Sequence, residues 1–341
     1  MLMQSHCIRP GLWTTVAAGK KLIFKIKHSR GRELRMQWKQ IKTLFILCFL
    51  ALNMYLLMML INKQEESEFA LPDTPELTFE EQLEAEDITI SADLPEGNFS
   101  GHNLPLNQKA FTEEELTFFE DMDNQETEVI DENFILSVFE NPVSIPDDAD
   151  SDTISDLVKS NILLPDNYTF GSWNQDMNVL IFFQEKNDFP IYYNQSGIVL
   201  VYLNDANEMI FYTQTMLGDD KSSEREEESL IEPRRAIQTL FNGNRLENGD
   251  EITNVNMGLH TRIPLESEQV FSPTWTITVN DDESFYVNAI ETRITPNDEL
   301  TFLTGAVSFA IEKIQNYDDS DMTDFVLAHL NEKLSSNQQS E

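Results

Sequence analysis

An apolar run near the N-terminus constrains this chain more than any other feature. Residues 41–61 read IKTLFILCFLALNMYLLMMLI, and between Leu44 and Ile61 only Asn53 carries a side chain that hydrocarbon strongly rejects. A run of this length can cross a bilayer core of about 30 Å as a helix. The sequence therefore predicts one transmembrane helix at residues 41–61.

Charged residues flank this run unequally. The first 63 residues contain 11 Lys and Arg against a single Glu, and three Glu follow the run between residues 65 and 68. The positive-inside rule places residues 1–40 in the cytoplasm as a short tail and everything after the helix outside. We therefore predict a single-pass protein of the cell membrane with an extracellular C-terminal part, which a polar stalk at residues 62–76 joins to the helix.

Removal of the run as a signal peptide is disfavoured. A cleavage site has small residues at positions −3 and −1, whereas the candidate Glu68-Phe69-Ala70 has a carboxylate at −3. Cys48 follows Leu47 in the middle of the run, which disfavours a lipoprotein site. We expect an uncleaved anchor.

Asn53 is the candidate binding element of the anchor. An Asn amide is costly against lipid and commonly hydrogen-bonds to another helix. Helical spacing puts Phe49, Leu50, Leu56 and Leu57 on the same face. These five residues are the predicted partner-binding site in the membrane. The alternative is that a run this apolar tolerates one Asn.

The region outside the membrane is strongly acidic. The last 278 residues contain 12 basic and 59 acidic residues, a net charge of −47. This charge repels nucleic acid and anionic lipid, so nucleic acid is not expected as a partner. A solubilising surface adapted to the habitat explains the charge better than a dedicated acidic binding face, which is the alternative. Both cysteines, Cys7 and Cys48, precede this region, so it is expected to fold without disulfides.

Short helical and strand patterns alternate after the stalk, which predicts an α+β fold with antiparallel sheets. Residues 77–150 are predicted to form one α+β subdomain, with capping boxes at Thr78 and Thr112. Residues 151–300 are predicted to form a second, an antiparallel meander plus a helix that begins at Pro233. Residues 301–341 are expected to be a helical, polar-ended extension at the periphery.

Recognisable catalytic motifs are missing from the sequence. His102, His260 and His329 show no metal-ligand spacing, and Asp148 to Asp152 imitate a calcium loop without its Gly and final Glu. Carboxylate pairs could be drawn anywhere among 59 acids, so they carry no signal. We expect no enzyme activity, no metal and no cofactor.

Three segments together resemble the YycI (WalI) family of the YycH/YycI group. These are residues 36–57 (MQWKQIKTLFILCFLALNMYLL), 142–146 (PVSIP) and 234–252 (RRAIQTLFNGNRLENGDEI), with a hairpin that carries Trp275 and Tyr286. The resemblance runs from about Met36 to Thr292. It implies an extracytoplasmic α+β domain in a protein of low-GC Gram-positive bacteria, and no catalytic residues.

The resemblance also implies a function. A member of this family would act with YycH on the sensor histidine kinase WalK (YycG), part of a two-component system that controls cell-wall metabolism. The alternatives are a membrane-anchored cell-wall hydrolase and a wall-binding scaffold protein. Because the family-like pattern begins at Met36, translation is predicted to start there, and residues 1–35 are then a mis-assigned start. The alternative is a genuine basic tail on the inner leaflet.

Overall fold

A computed structural model describes residues 38–68, 77–146, 148–219, 226–261, 268–295, 298–317 and 320–337. The chain divides into two compact units, Met1–Glu76 and Leu77–Glu341, which are described separately. The predicted start at Met36 lies outside the described residues.

The first unit contains one long helix, α1, Trp38–Glu68. Its 31 residues would extend about 46 Å at 1.5 Å per residue, more than a bilayer core needs. Within it, Lys42–Met59 is long and apolar enough to cross a membrane, and none of that segment is buried in the protein. The helix runs past the predicted boundary at residue 61, so residues 62–68 of the expected stalk are helical.

The second unit combines short helices with many strands. The helices are α2 Phe79–Ala85, α3 Glu113–Leu116, α4 Ser151–Lys159, α5 Pro233–Asn242, α6 Glu299–Gln315 and α7 Asp321–Asn337. The first strands are β1 Thr89–Ile90, β2 Ser100–Gly101, β3 Leu104–Leu106, β4 Gln125–Ile130, β5 Phe134–Ser144, β6 Tyr168–Asn174, β7 Val179–Lys186 and β8 Phe189–Pro190. The others are β9 Ile198–Leu203, β10 Glu208–Thr215, β11 Glu228–Ser229, β12 Glu251–Thr261, β13 Gln269–Val279, β14 Glu283–Asn288 and β15 Arg293–Thr295. The α+β class with antiparallel sheets is confirmed.

Local sequence signals set several helix starts. Thr78 Oγ1 accepts from the Glu81 amide at 3.3 Å, and the Glu81 carboxylate accepts from the Thr78 amide at 2.7 Å. Thr112 and Glu115 repeat the arrangement at 3.3 and 2.9 Å. Both predicted capping boxes are therefore confirmed, as is the start of α5 at Pro233. Such pairs satisfy amide groups that a helix start leaves without intrahelical acceptors.

A seven-stranded antiparallel sheet lies between two helical layers. Its order is β4-β5-β10-β9-β7-β6, with β8 paired to β7. All six residues of β9 are buried, which requires cover on both faces. On one face, Val199 and Val201 pack with Ile154 and Val158 of α4.

Helices α6 and α7 cover the other face. Leu303 and Val307 of α6 and Val326 and Leu330 of α7 have no exposed surface, and they share a core cluster with Leu200 of β9. The expected peripheral position of residues 301–341 is therefore wrong, because their apolar side chains complete the core of this sheet.

A six-stranded sheet forms the other half of the unit. Its order is β1-β12-β13-β14-β15, with β3 also paired to β13. Alternation along β13 sends Trp275 and Ile277 towards Ile237 and Leu240 of α5, in a second core. Thr276, which lies between these two residues, faces the opposite side of the sheet. The sheet is polar on that side.

The sheets do not follow the predicted division of the chain at residue 150. The seven-stranded sheet pairs β5 with β10, so it joins the ranges 77–150 and 151–300. The six-stranded sheet likewise joins β1 and β3 to β12 and β13. Pairing between strands that are distant in the sequence does not alter local composition. Local composition was the only basis for the predicted boundary.

Side chains and backbone link the two sheets. Ile191 forms a bridge to Leu259, and the Tyr192 amide donates to Leu259 O at 2.9 Å. Asn194, fully buried, donates to Gln269 Oε1 at 2.6 Å. This junction fixes the end of β8 against β12 and creates the cleft described below.

Candidate functional site: the membrane helix and a cleft between the sheets

The predicted membrane site lies on α1. Phe49, Leu50, Leu56 and Leu57 are each more than half exposed, and Asn53 is exposed as well. Because α1 is helical throughout this stretch, the five side chains share one face. Their role in partner binding stays a prediction.

A polar cleft of about 870 Å³ lies between the two sheets of the second unit. Strands β6, β7 and β8 and the start of α6 form one side, and β12, β13 and β14 form the other. The six-stranded sheet contributes amide and hydroxyl side chains: Asn254, Asn256, Thr276, Thr278 and Ser284. The cleft is therefore lined by hydrogen-bonding groups held on rigid strands.

Three tyrosines, Tyr192, Tyr193 and Tyr286, form an interlocked wall of the cleft. The Tyr286 ring lies 5.3 Å from Tyr192 and 5.8 Å from Tyr193, at distances typical of favourable aromatic pairs. Gly258 makes this packing possible, since a Cβ at that position would lie 2.2 Å from Tyr192 Cε2 and 2.9 Å from Pro190 O. The wall is thus built into the junction between the sheets.

The phenols of this wall stay protonated. Burial raises the pKa of both Tyr192 and Tyr193. The nearby Tyr286 and Glu299 raise the pKa of Tyr193 further. Burial also raises the pKa of Tyr286. All three hydroxyls can therefore donate hydrogen bonds at any physiological pH.

Glu299, the first residue of α6, is the most constrained carboxylate in the cleft. It accepts from Ser172 Oγ at 2.9 Å, Asn174 Nδ2 at 2.9 Å and Tyr193 OH at 3.1 Å. The preceding Asp298 caps α6 through the Leu300 amide at 3.1 Å. Hydrogen bonding from Thr301 lowers the pKa of Asp298. Glu299 therefore fastens α6 to β6, while Asp298 caps the helix.

Other carboxylates in the cleft have no such bonds. Glu185 of β7 lines one side, and Asp282 and Glu283 lie where the β13–β14 hairpin turns. Within the part of the chain that the structure describes, no hydrogen bond or ion pair engages these three side chains. The cleft therefore presents unpaired negative charge from both sheets.

Sequence reasoning missed this site entirely. Its residues come from segments more than 120 positions apart, and none belongs to a catalytic or binding motif. The one local signal is the pair Tyr192-Tyr193, two bulky phenols in a row in a strand-like stretch. Of the three histidines considered, only His260 lies close, with its ring 5.9 Å from Tyr286.

A second, mainly apolar groove of about 580 Å³ lies on the other side of β12 and β13. Phe99, Phe189, Met257 and Trp275 contribute to its lining. Phe99 meets the Trp275 indole edge-on at 5.0 Å. The Trp275 indole also donates to Ile231 O at 2.8 Å, so this ring is fixed as part of the core.

Comparison with known proteins gives one family. The model of the family described as "YycI protein" matches residues 71–290, well over half of the chain. The match begins after α1, so it does not include the membrane segment. A comparison with curated proteins finds no match.

Two solved structures show weak likeness. An uncharacterised protein from Eubacterium rectale is 8% identical, with a TM-score of 0.37 over 62% of this chain and 91% of that one. YycH from Bacillus subtilis is 12% identical, with a TM-score of 0.34 over 56% of this chain and 52% of YycH, so the chain spans about half of its length. Scores this low do not establish a shared fold. The family match decides the assignment: the chain belongs to the YycI family.

Proposed function

We propose that this chain is a membrane-anchored, non-enzymatic regulatory protein that, with YycH, modulates the sensor histidine kinase WalK (YycG) and through it cell-wall metabolism. The family match over residues 71–290 carries the proposal, because the YycI family is one of regulatory proteins not known as enzymes. The apolar segment Lys42–Met59 fits a single-pass membrane protein. We place the N-terminus in the cytoplasm and the Leu77–Glu341 unit outside, on the basis of the flanking charges.

The contact with the kinase or with YycH is assigned to the Asn53 face of α1. An exposed Asn amide in hydrocarbon is stabilised by an interhelical hydrogen bond worth about 0.6–2 kcal/mol. A bond of that size corresponds to roughly a 3- to 30-fold change in an equilibrium constant. For a kinase poised between two states, such a change shifts its output measurably.

Co-purification from membranes tests this proposal. Tagged full-length chain should retain YycH and WalK, and Asn53→Leu should insert normally but retain roughly 3- to 30-fold less of them. Tyr55→Phe is the matched control, since it also removes a polar group but lies about 200° around the helix. The expression of WalK-dependent genes is measured in the same strains.

Three results would count against the proposal. If neither protein co-purifies with the unmodified chain, the assigned partners are wrong. If Asn53→Leu and Tyr55→Phe behave alike, the membrane contact is wrong even if the partners are right. Wall-degrading activity of the purified chain would instead favour the hydrolase alternative.

A further inference from the structure

We propose that the cleft between the two sheets binds a ligand that carries an organic ammonium group. This site lies in the Leu77–Glu341 unit and is distinct from the membrane face of α1. Three properties of the cleft support the assignment: its size, the sign of its charge and its aromatic wall.

The volume fits a small organic molecule or a peptide side chain with its neighbours. Ligand sites commonly enclose about 300–1,000 Å³, and this cleft encloses about 870 Å³. A metal ion needs several ligand atoms converging on one point. Among the described residues, no group of three or more His, Cys, Asp or Glu is arranged in that way. The cation is therefore organic.

The charge of the lining selects a cation. Six carboxylates line the cleft, and none of the described lining residues is a Lys or an Arg. Glu299 and Asp298 are already engaged, whereas no described residue forms a hydrogen bond or ion pair with the side chains of Glu185, Asp282 and Glu283. An ammonium group offers three donors and no acceptor, which complements carboxylates that can only accept.

The aromatic wall favours the same chemistry. An ammonium group within about 6 Å of a tyrosine ring is attracted by the ring quadrupole. Tyr192, Glu185 and Thr276 line the same cleft, and burial together with the charge of Glu185 raises the pKa of the Tyr192 phenol. The Thr276 hydroxyl is itself buried, and among the described residues no group meets it at hydrogen-bonding geometry. A cation placed between Glu185 and Tyr192 would neutralise the charge of the Glu185 carboxylate without displacing the three tyrosines of the wall.

Binding is measured by calorimetry on the full-length chain in a non-ionic detergent. The probes are an N-acetylated, C-amidated tripeptide with a central lysine and the same peptide with norleucine, which keeps the side-chain length without the charge. Cadaverine distinguishes a free amine from a peptide as the source of the ammonium. We expect the lysine peptide or cadaverine to bind, and the norleucine peptide to bind at least about tenfold more weakly.

Protein variants locate the site. Glu185→Gln should weaken binding of the ammonium probe at least about fivefold, because it removes an unpaired carboxylate beside Tyr192. Glu126→Gln removes the same charge from an exposed position on the edge strand β4 and should change binding less than about twofold. The contrast separates a built site from attraction to the acidic surface as a whole.

Each opposite outcome overturns the proposal. Equal binding of the lysine and norleucine peptides means that the cleft does not recognise the ammonium charge. Equal weakening by Glu185→Gln and Glu126→Gln means that the acidic surface as a whole, and not the cleft, attracts the probe. Absence of binding by both ammonium probes at low ionic strength rejects the site, whatever the fate of the kinase proposal.

Discussion

Replacement of Leu303 by Ala should strongly destabilise the Leu77–Glu341 unit. Leu303 lies in α6, has no exposed surface and belongs to the core that α6 and α7 share with the seven-stranded sheet. Buried Leu→Ala changes remove transfer free energy and leave a cavity, at a cost of about 2.7–5 kcal/mol. For a unit of this size, a loss of about 3 kcal/mol lowers the melting temperature by about 6–12 °C.

Urea unfolding of the full-length chain in non-ionic detergent measures this loss. Trp173 in β6 and Trp275 in β13 report on the two sheets by their fluorescence. Leu77→Ala is the matched control, because Leu77 is 52% exposed and undergoes the same chemical change. It should alter the free energy of unfolding by less than about 0.5 kcal/mol. Leu330→Ala in α7 should resemble Leu303→Ala, since Leu330 is equally buried.

A small effect would refute the described packing. If Leu303→Ala and Leu330→Ala both cost less than about 1 kcal/mol, α6 and α7 do not belong to the core. They would then be the peripheral extension that the sequence suggested.

Three further results are expected. The melting temperature should rise with added salt at low ionic strength, because screening relieves the repulsion of a region with net charge −47; a salt-independent value would contradict this. Burial raises the pKa of Tyr168, Tyr202 and Tyr212 from the usual 10.0, so stability should be full below pH 10 and fall above it. Phenolate absorption should then appear together with unfolding, and its appearance in the folded protein would argue against the burial. Burial lowers the pKa of His260 from 6.5 to about 4, so part of the stability should be lost as pH falls through that range. His260→Gln should flatten this dependence more than His102→Gln.

Local signals in the sequence predicted local structure well. The capping boxes at Thr78 and Thr112 and the Pro233 start need only neighbouring residues to form, and the structure contains all three. The apolar residues of the segment 127–139 would by themselves indicate one continuous strand. Asp131 and Glu132 instead adopt positive φ of 52° and 62°, which turns the chain between β4 and β5. Asp tolerates this conformation better than most residues, but the abundance of acidic residues here hides the turn.

The sequence contains a signal for the position of α6 and α7, but the polar ends of residues 301–341 masked it. Strand β9 reads IVLVYL, and a continuous apolar run of this kind indicates burial on both faces. Helix α4 covers one face, so a second layer was required. The polar ends of residues 301–341 suggested a surface extension, although the apolar residues between them supplied that layer.

The cleft could not be predicted, because long-range pairing assembles it. Glu185 and Glu283 come from different sheets and line one cleft because the Ile191–Leu259 bridge joins those sheets. Glu299 also fixes α6 to β6, so one side of the cleft depends on α6. The family match ends at residue 290, before α6 begins at Glu299. Membership of the YycI family therefore does not by itself imply the part of the cleft that α6 supplies. A relative would share the whole cleft only if it also carried a helix in the place of α6.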